Sequence, residues 1–169
     1  VAAAVARGLD LLGGLDRFVR PGEKILLKPN ILTGDTPDKQ IGPHPTVFEA
    51  VARAVQAITP NVTYGDSPGF GRPEAQARKA GLTLVAERLG IPLADFEEGR
   101  EVSFAESPFT KRFTLADGVL EADGLISLCK CKAHQLTRIT GAVKNQLGCV
   151  PGLLKPQFHI TLPHPVEFG

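Results

Sequence analysis

The chain predicts an α/β domain: a mainly parallel sheet flanked by helices, with a small β-hairpin excursion. Three observations carry that expectation. Short apolar runs suited to buried strands alternate with segments whose apolar residues recur at helical spacing. Turn residues separate them, drawn from 18 glycines and 14 prolines. Polar loops follow the apolar runs, where the carboxyl ends of strands would lie.

Residues 1–12 read as a helix closed by Gly13-Gly14, a C-cap pair. Pro21-Gly22 is a turn, and Glu23 to Leu27 reads as a strand stopped by Pro29. Residues 31–45 form a long Gly/Pro-rich loop, a kind that is usually functional or disordered. Thr46 is expected to cap a helix that carries Val47, Phe48, Val51, Ala54, Val55 and Ile58 at helical spacing. Asn61 to Gly65 is the next strand, with the loop Asp66-Ser67-Pro68-Gly69-Phe70-Gly71 at its carboxyl end. Residues 73–89 are helical in composition with a break near Gly81, and Ile91 to Phe96 reads as a further strand. The hairpin is expected over 101–121, turning at Asp117-Gly118 between Phe113-Thr114-Leu115 and Val119-Leu120. Gly124 to Leu128 is an apolar strand. A basic segment, 130–148, follows it. Leu136, Ile139, Val143 and Leu147 predict a helix over 136–147 that sets Thr137, Thr140 and Lys144 on one stripe.

Length and composition narrow the classes. At 169 residues with 43% hydrophobic content, the chain makes one domain with a real core. A net charge of +1 gives no support for broad nucleic-acid or membrane-surface binding. Aromatics are 6% and Trp is absent, so base-stacking platforms are poorly supplied. No apolar run reaches the length of a membrane span. The apolar amino end has neither a preceding basic region nor a cleavage site, which argues against a signal peptide. Three cysteines, an odd count, point to reduced thiols and a cytoplasmic setting. The start at Val1, the lack of any Met and the abrupt Pro165 to Gly169 end suggest an excised piece.

The candidate chemistry gathers on one predicted edge, because three loops each follow a strand. In the first, Lys28 could hold an anionic group and Asn30 orient it, although a strand-ending Lys and a turn Asn would look the same. In the second, Asp66 could bind a cation, a ribose hydroxyl or a lysine. Ser67 and Gly69 would bring backbone close to a ligand, or simply form an Asx turn. The glycine spacing there fits neither a Walker motif nor a dinucleotide fingerprint. In the third, Lys132 and His134 alternate and so share a face in extended chain, as anion anchor and proton-transfer group or as a solvated basic edge. Thr140, Lys144 and Asn145 extend this group. His44, rigid between Pro43 and Pro45, suits acid/base work or an ordinary surface loop. Cys129, Cys131 and Cys149 could supply three thiolates to a metal with His134 or His159 as a fourth ligand. Buried thiols acting as small apolar side chains are the favoured reading.

Lys28-Pro29-Asn30, Pro43-His44-Pro45, Gly65 to Gly69, Lys132-Ala133-His134, Thr140 to Asn145, and Lys155 with Phe158-His159 occur in an order that resembles the DUF362 family. The resemblance runs from about Val19 to Gly169. It implies a domain continuing past Gly169, so that residues 1–169 form a truncated part of it. It also implies an iron–sulfur redox context, through a fused ferredoxin-like module carrying a 4Fe-4S cluster rather than through this stretch, which has no four-cysteine motif. The family pattern Leu-Pro-Lys-Leu-Lys-Thr-His stands here as Leu128-Cys129-Lys130-Cys131-Lys132-Ala133-His134, a departure at three positions. The expected function is binding of a small anionic substrate or cofactor. His44, His134, Asp66 and Lys132 would do the chemistry, and Lys28, Asn30, Ser67, Gly69, Thr140, Lys144 and Asn145 would hold the ligand. The alternative is a non-catalytic scaffold that docks a ferredoxin-like module or electron-transfer partner on its basic edge.

Overall fold

A computed structural model describes residues 1–108, 110–135 and 138–161. It is an α/β fold built on a three-stranded parallel sheet. Helix α1 (Ala2–Leu11) leads through the Gly13-Gly14 stop, where both glycines have positive φ, to β1 (Ile25–Pro29). All five β1 residues are buried, which is the signature of a central parallel strand. The strand runs two residues further than the sequence suggests and includes Pro29. Pro29 is its last residue, so its missing N–H interrupts no later rung of the ladder.

The chain then crosses by α2 (Pro45–Gln56) to β2 (Val62–Tyr64), which pairs in parallel with one side of β1. The α2 cap differs from expectation. The N-cap is His44, whose Nδ1 accepts a hydrogen bond from the Thr46 amide at 3.2 Å. Helices α3 (Pro73–Lys79) and α4 (Leu82–Leu89) follow, separated at Gly81, where φ is +73°. The expected strand over 91–96 is reduced to a single bridge, Tyr64 with Leu93. Pro92 has no N–H to extend a ladder, and the chain bends so that Phe96 passes under the sheet against Gly65.

The hairpin excursion is β3 (Gly99–Ser103) against β4 (Arg112–Ala116), antiparallel. Its turn is not at Asp117-Gly118. Residues Asp117–Leu120 form a helical turn, α5, because the Asp117 and Gly118 amides donate to Glu98 and Asp95 carbonyls at 3.1 and 2.8 Å. Strand β5 (Gly124–Leu128) returns to the free side of β1 in parallel register. The expected helix over 136–147 is not what forms. Lys132–His134 (β6) pairs with Arg138–Thr140 (β7) in a second hairpin, and a short α6 (Ala142–Asn145) follows. Lys132 pairs with Thr140, whose hydroxyl donates to the Lys132 carbonyl at 2.8 Å. Of the apolar stripe that suggested a longer helix, Ile139 and Val143 find no core, being 62% and 81% exposed. Leu136 and Thr137 lie outside the described residues, as do 162–169, including His164. The last described element is α7 (Lys155–Thr161).

Two hydrophobic clusters sandwich the sheet. Ile25 and Leu27 face Phe48, Val51 and Val55 of α2 and the α4 residues Leu82 and Val85. Leu26 faces the opposite side, with Phe96 and Ala116. Alternation along β1 therefore puts Lys28 on the Leu26 side, away from the helices.

Candidate functional site

The order β2-β1-β5 means that the chain leaves β1 toward one neighbour and later returns on its other side. Ligands of open α/β sheets bind where strand order reverses in this way, outside the carboxyl ends. Lys28 and Pro29 sit at that point, paired with Ser127 and Leu128 of β5.

Lys28 is fully buried, and its ammonium donates to Asp66 at 2.6 Å and to the Asn145 amide oxygen at 3.1 Å. The second Asp66 oxygen accepts the Ile31 amide at 2.9 Å. Burial pushes the Asp66 carboxyl above its usual range, and the Lys28 charge and hydrogen bond pull it back. Asn145 also donates to the Lys28 carbonyl at 3.2 Å and to the Ser127 hydroxyl at 2.9 Å, tying β1 to β5. The pair therefore has a structural rather than an exposed anion-binding geometry. Gly148 makes room for it: a Cβ there would overlap both the Asp66 carboxylate and the Lys28 ammonium.

Lys132 is a clamp. Its ammonium donates to the Asn30 side-chain oxygen and to the Ile41 carbonyl, both at 2.7 Å, so β6 pins the two ends of the 30–41 loop. Burial and the neighbouring charges of Lys144 and Lys130 lower its pKa. Lys155 bonds the Ser67 carbonyl and, at 3.1 Å, the Pro68 carbonyl. Its pKa is lowered to about 8, chiefly by burial, with Asp66 opposing and Lys28 adding to the fall. The Lys144 pKa is also lowered by burial.

These groups surround an open cleft of about 520 Å³ lined by Asn30, Ser67, Gly69, His134, Lys144 and Asn145, among others, with Lys155 in its wall. Asp66 is the one carboxylate among its described lining residues, and Lys28 already holds it. The Ser67 hydroxyl is buried with no hydrogen-bond partner. An orphaned polar atom in a cleft wall calls for a partner.

Of the expected site residues, Asn30, Asp66, Ser67, Gly69, His134, Lys144 and Asn145 come together at the cleft. Lys28 lies beneath it against Asp66, and Lys132 stands behind Asn30. Thr140 is buried in the β6–β7 hairpin, so its expected stripe with Lys144 on one helix does not exist. His44 is exposed at the α2 cap and is not among the cleft-lining residues. Sequence reasoning noted Gly148 in the basic segment and Lys155 as a matching residue, but gave neither a role. A basic residue close after the apolar Cys149-Val150 pair was the available signal for Lys155.

The profile described as "Domain of unknown function (DUF362)" matches residues 25–165. The chain belongs to the DUF362 family. It is 38% identical over 152 residues to the thylakoid-associated protein sll1697 of Synechocystis sp., covering 90% of this chain. It spans about half of that relative, 47% of its length. No solved structure matches the chain significantly.

The three-thiolate metal reading finds no ligand set among the described residues. Cys149 is buried, Cys129 half-buried and Cys131 exposed. Among the described residues no three His, Cys, Asp or Glu side chains gather for a metal. A cluster held by four thiolates does not fit these cysteines. Burial pushes the Cys149 thiol up, and its Sγ contacts the Gln146 amide oxygen at 3.4 Å, as expected of a packed thiol. No described helix is long and apolar enough to cross a membrane.

Proposed function

We propose that this DUF362 domain binds a small anionic ligand, a phosphate or carboxylate, in the cleft at the carboxyl ends of β1, β2 and β5. The observation that carries the reading is a charge imbalance. Lys144 and Lys155 border a concave space whose one described carboxylate is already neutralised by Lys28. Two partly desolvated ammonium groups, neither in an ion pair among the described residues, favour an anion between them. Ser67 offers an unused hydroxyl and Asn30 its amide nitrogen, while Asn145, already held by Lys28 and Ser127, stiffens the wall. His134 lines the same wall, which supports a role in exchanging a proton with the bound group. Asp66 and Lys28 act as the supporting pair and Lys132 as the loop clamp.

The alternative, a scaffold docking a ferredoxin-like module, calls for a flat basic face. Concavity favours the ligand. A redox role would then come through a partner or a module outside this stretch, and iron and sulfide analysis of the full-length protein reads it directly. For location, three free thiols support a reducing compartment. The relative's thylakoid association is compatible with attachment to a membrane surface.

Titration calorimetry with inorganic phosphate and with acetate tests the site. Binding of either, weakened about tenfold or more by Lys144→Ala and by Lys155→Ala in folded protein, is expected. Wild-type protein that takes up neither anion at low ionic strength would sink the proposal.

A further inference from the structure

The same cleft has a second character that charge does not use. Its outer wall is apolar: Leu32, Phe70, Leu147, Pro156 and Ile160 line it alongside the polar groups. Phe70 is 79% exposed and Ile160 78%, on two different segments, the loop after β2 and α7. Leu32 is 40% exposed and is held at φ 57°, a left-handed conformation that non-glycine residues rarely adopt. The Leu32 carbonyl accepts the Gly69 amide at 2.7 Å, which binds this strained residue to the Phe70 loop. The rim is thus built by the same backbone contact that shapes the wall.

Inorganic phosphate would satisfy the lysines and leave this rim in water. About 520 Å³ is far more than such an ion fills, and it falls in the range of pockets that take organic ligands, roughly 300–1,000 Å³. Exposed apolar groups ringing a cationic floor match a ligand of the complementary polarity. Resting on the anion-site reading, we infer that the cleft's ligand is an amphiphilic organic anion. Its phosphate or carboxylate head meets Lys144 and Lys155, and its ring or short hydrocarbon body lies on Phe70, Leu32 and Ile160.

Paired probes that share the head group and differ chiefly in the apolar body test this by calorimetry: methyl phosphate against phenyl phosphate, and acetate against benzoate. Covering most of one ring at the usual apolar-area coefficient corresponds to about 10- to 30-fold tighter binding. The aromatic member of at least one pair is expected to bind tighter by that ratio. The double variant F70S/I160S should bring the ratio back toward one. Both positions are exposed, so circular dichroism is expected to report an unchanged fold. Equal affinity within both pairs would overturn the inference while leaving the anion site standing. No binding of any probe would remove both. A wild-type dimer in sedimentation velocity that F70S/I160S dissociates, with no ring advantage, would assign the rim to self-association and overturn the ligand class.

Discussion

Lys28 and Asp66 show how one buried ion pair constrains its neighbours. Each partner is almost fully enclosed, so removing one leaves the other charged without compensation. Lys28→Ala is expected to cost about 3–5 kcal/mol in urea unfolding, and Lys28→Met with Asp66→Leu markedly less than that single change. A double variant as unstable as Lys28→Ala would show that the pair is not the source. Gly148→Ala should destabilise for the same reason, because its methyl group would occupy the space of the pair. His44 makes the contrasting case. Its ring caps α2, and His44→Ala should cost about 1 kcal/mol in the same assay, restored by Asp or Ser, which cap through oxygen. A residue type suited to catalysis was legible at 44. The adjacent Thr46 amide that its ring serves could not be read from residue types alone.

At the level of elements, the readable parts were those with strong periodicity or turn chemistry. The α2 stripe, the break at Gly81 and the apolar Ile25-Leu26-Leu27 run of β1 follow directly from residue pattern. Two of the failures arise where hydrogen bonds to other segments override a local preference. Asp117-Gly118 is a good turn dipeptide, but amide bonds to Asp95 and Glu98 wind it into a helical turn. The spacing of Ile139 and Val143 imitates a helix face, yet pairing of Lys132 with Thr140 makes a hairpin there. The three loops of the candidate site were legible because each follows a strand. Their arrangement around β1 was not, since strand order is invisible in the chain. The β6–β7 hairpin also carries a prediction. Lys132→Met removes both bonds to the 30–41 loop, so amide exchange there should quicken while the global unfolding midpoint moves little. Unchanged exchange in that loop would mean Lys132 is no clamp.

For the molecule as a whole, the net charge of +1 hides a local concentration of positive charge. The Lys155 ammonium deprotonates near pH 8 in the ligand-free fold, against an ordinary value of 10.5. A bound anion favours its charged form, so binding should take up a proton around pH 8 to 9, and affinity should fall as pH rises through about 8. Calorimetry in buffers of different ionisation enthalpy measures that uptake, and Lys155→Met should abolish it. Stability runs the other way. Between pH 8 and 10.5 the unfolded chain holds the Lys155 proton more firmly than the folded one, so this residue's contribution favours folding increasingly as pH rises. Saturating anion should flatten that slope. A pH-independent affinity would place the ligand away from Lys155.

The strand order has a further consequence. Among the described residues β5 pairs with β1 alone, so one flank of Gly124–Leu128 is a row of backbone groups facing no ladder. Such a flank is a template on which any extended segment can grow, including the same strand of another copy. Protein prepared from this stretch is therefore expected to associate edge to edge as its concentration rises.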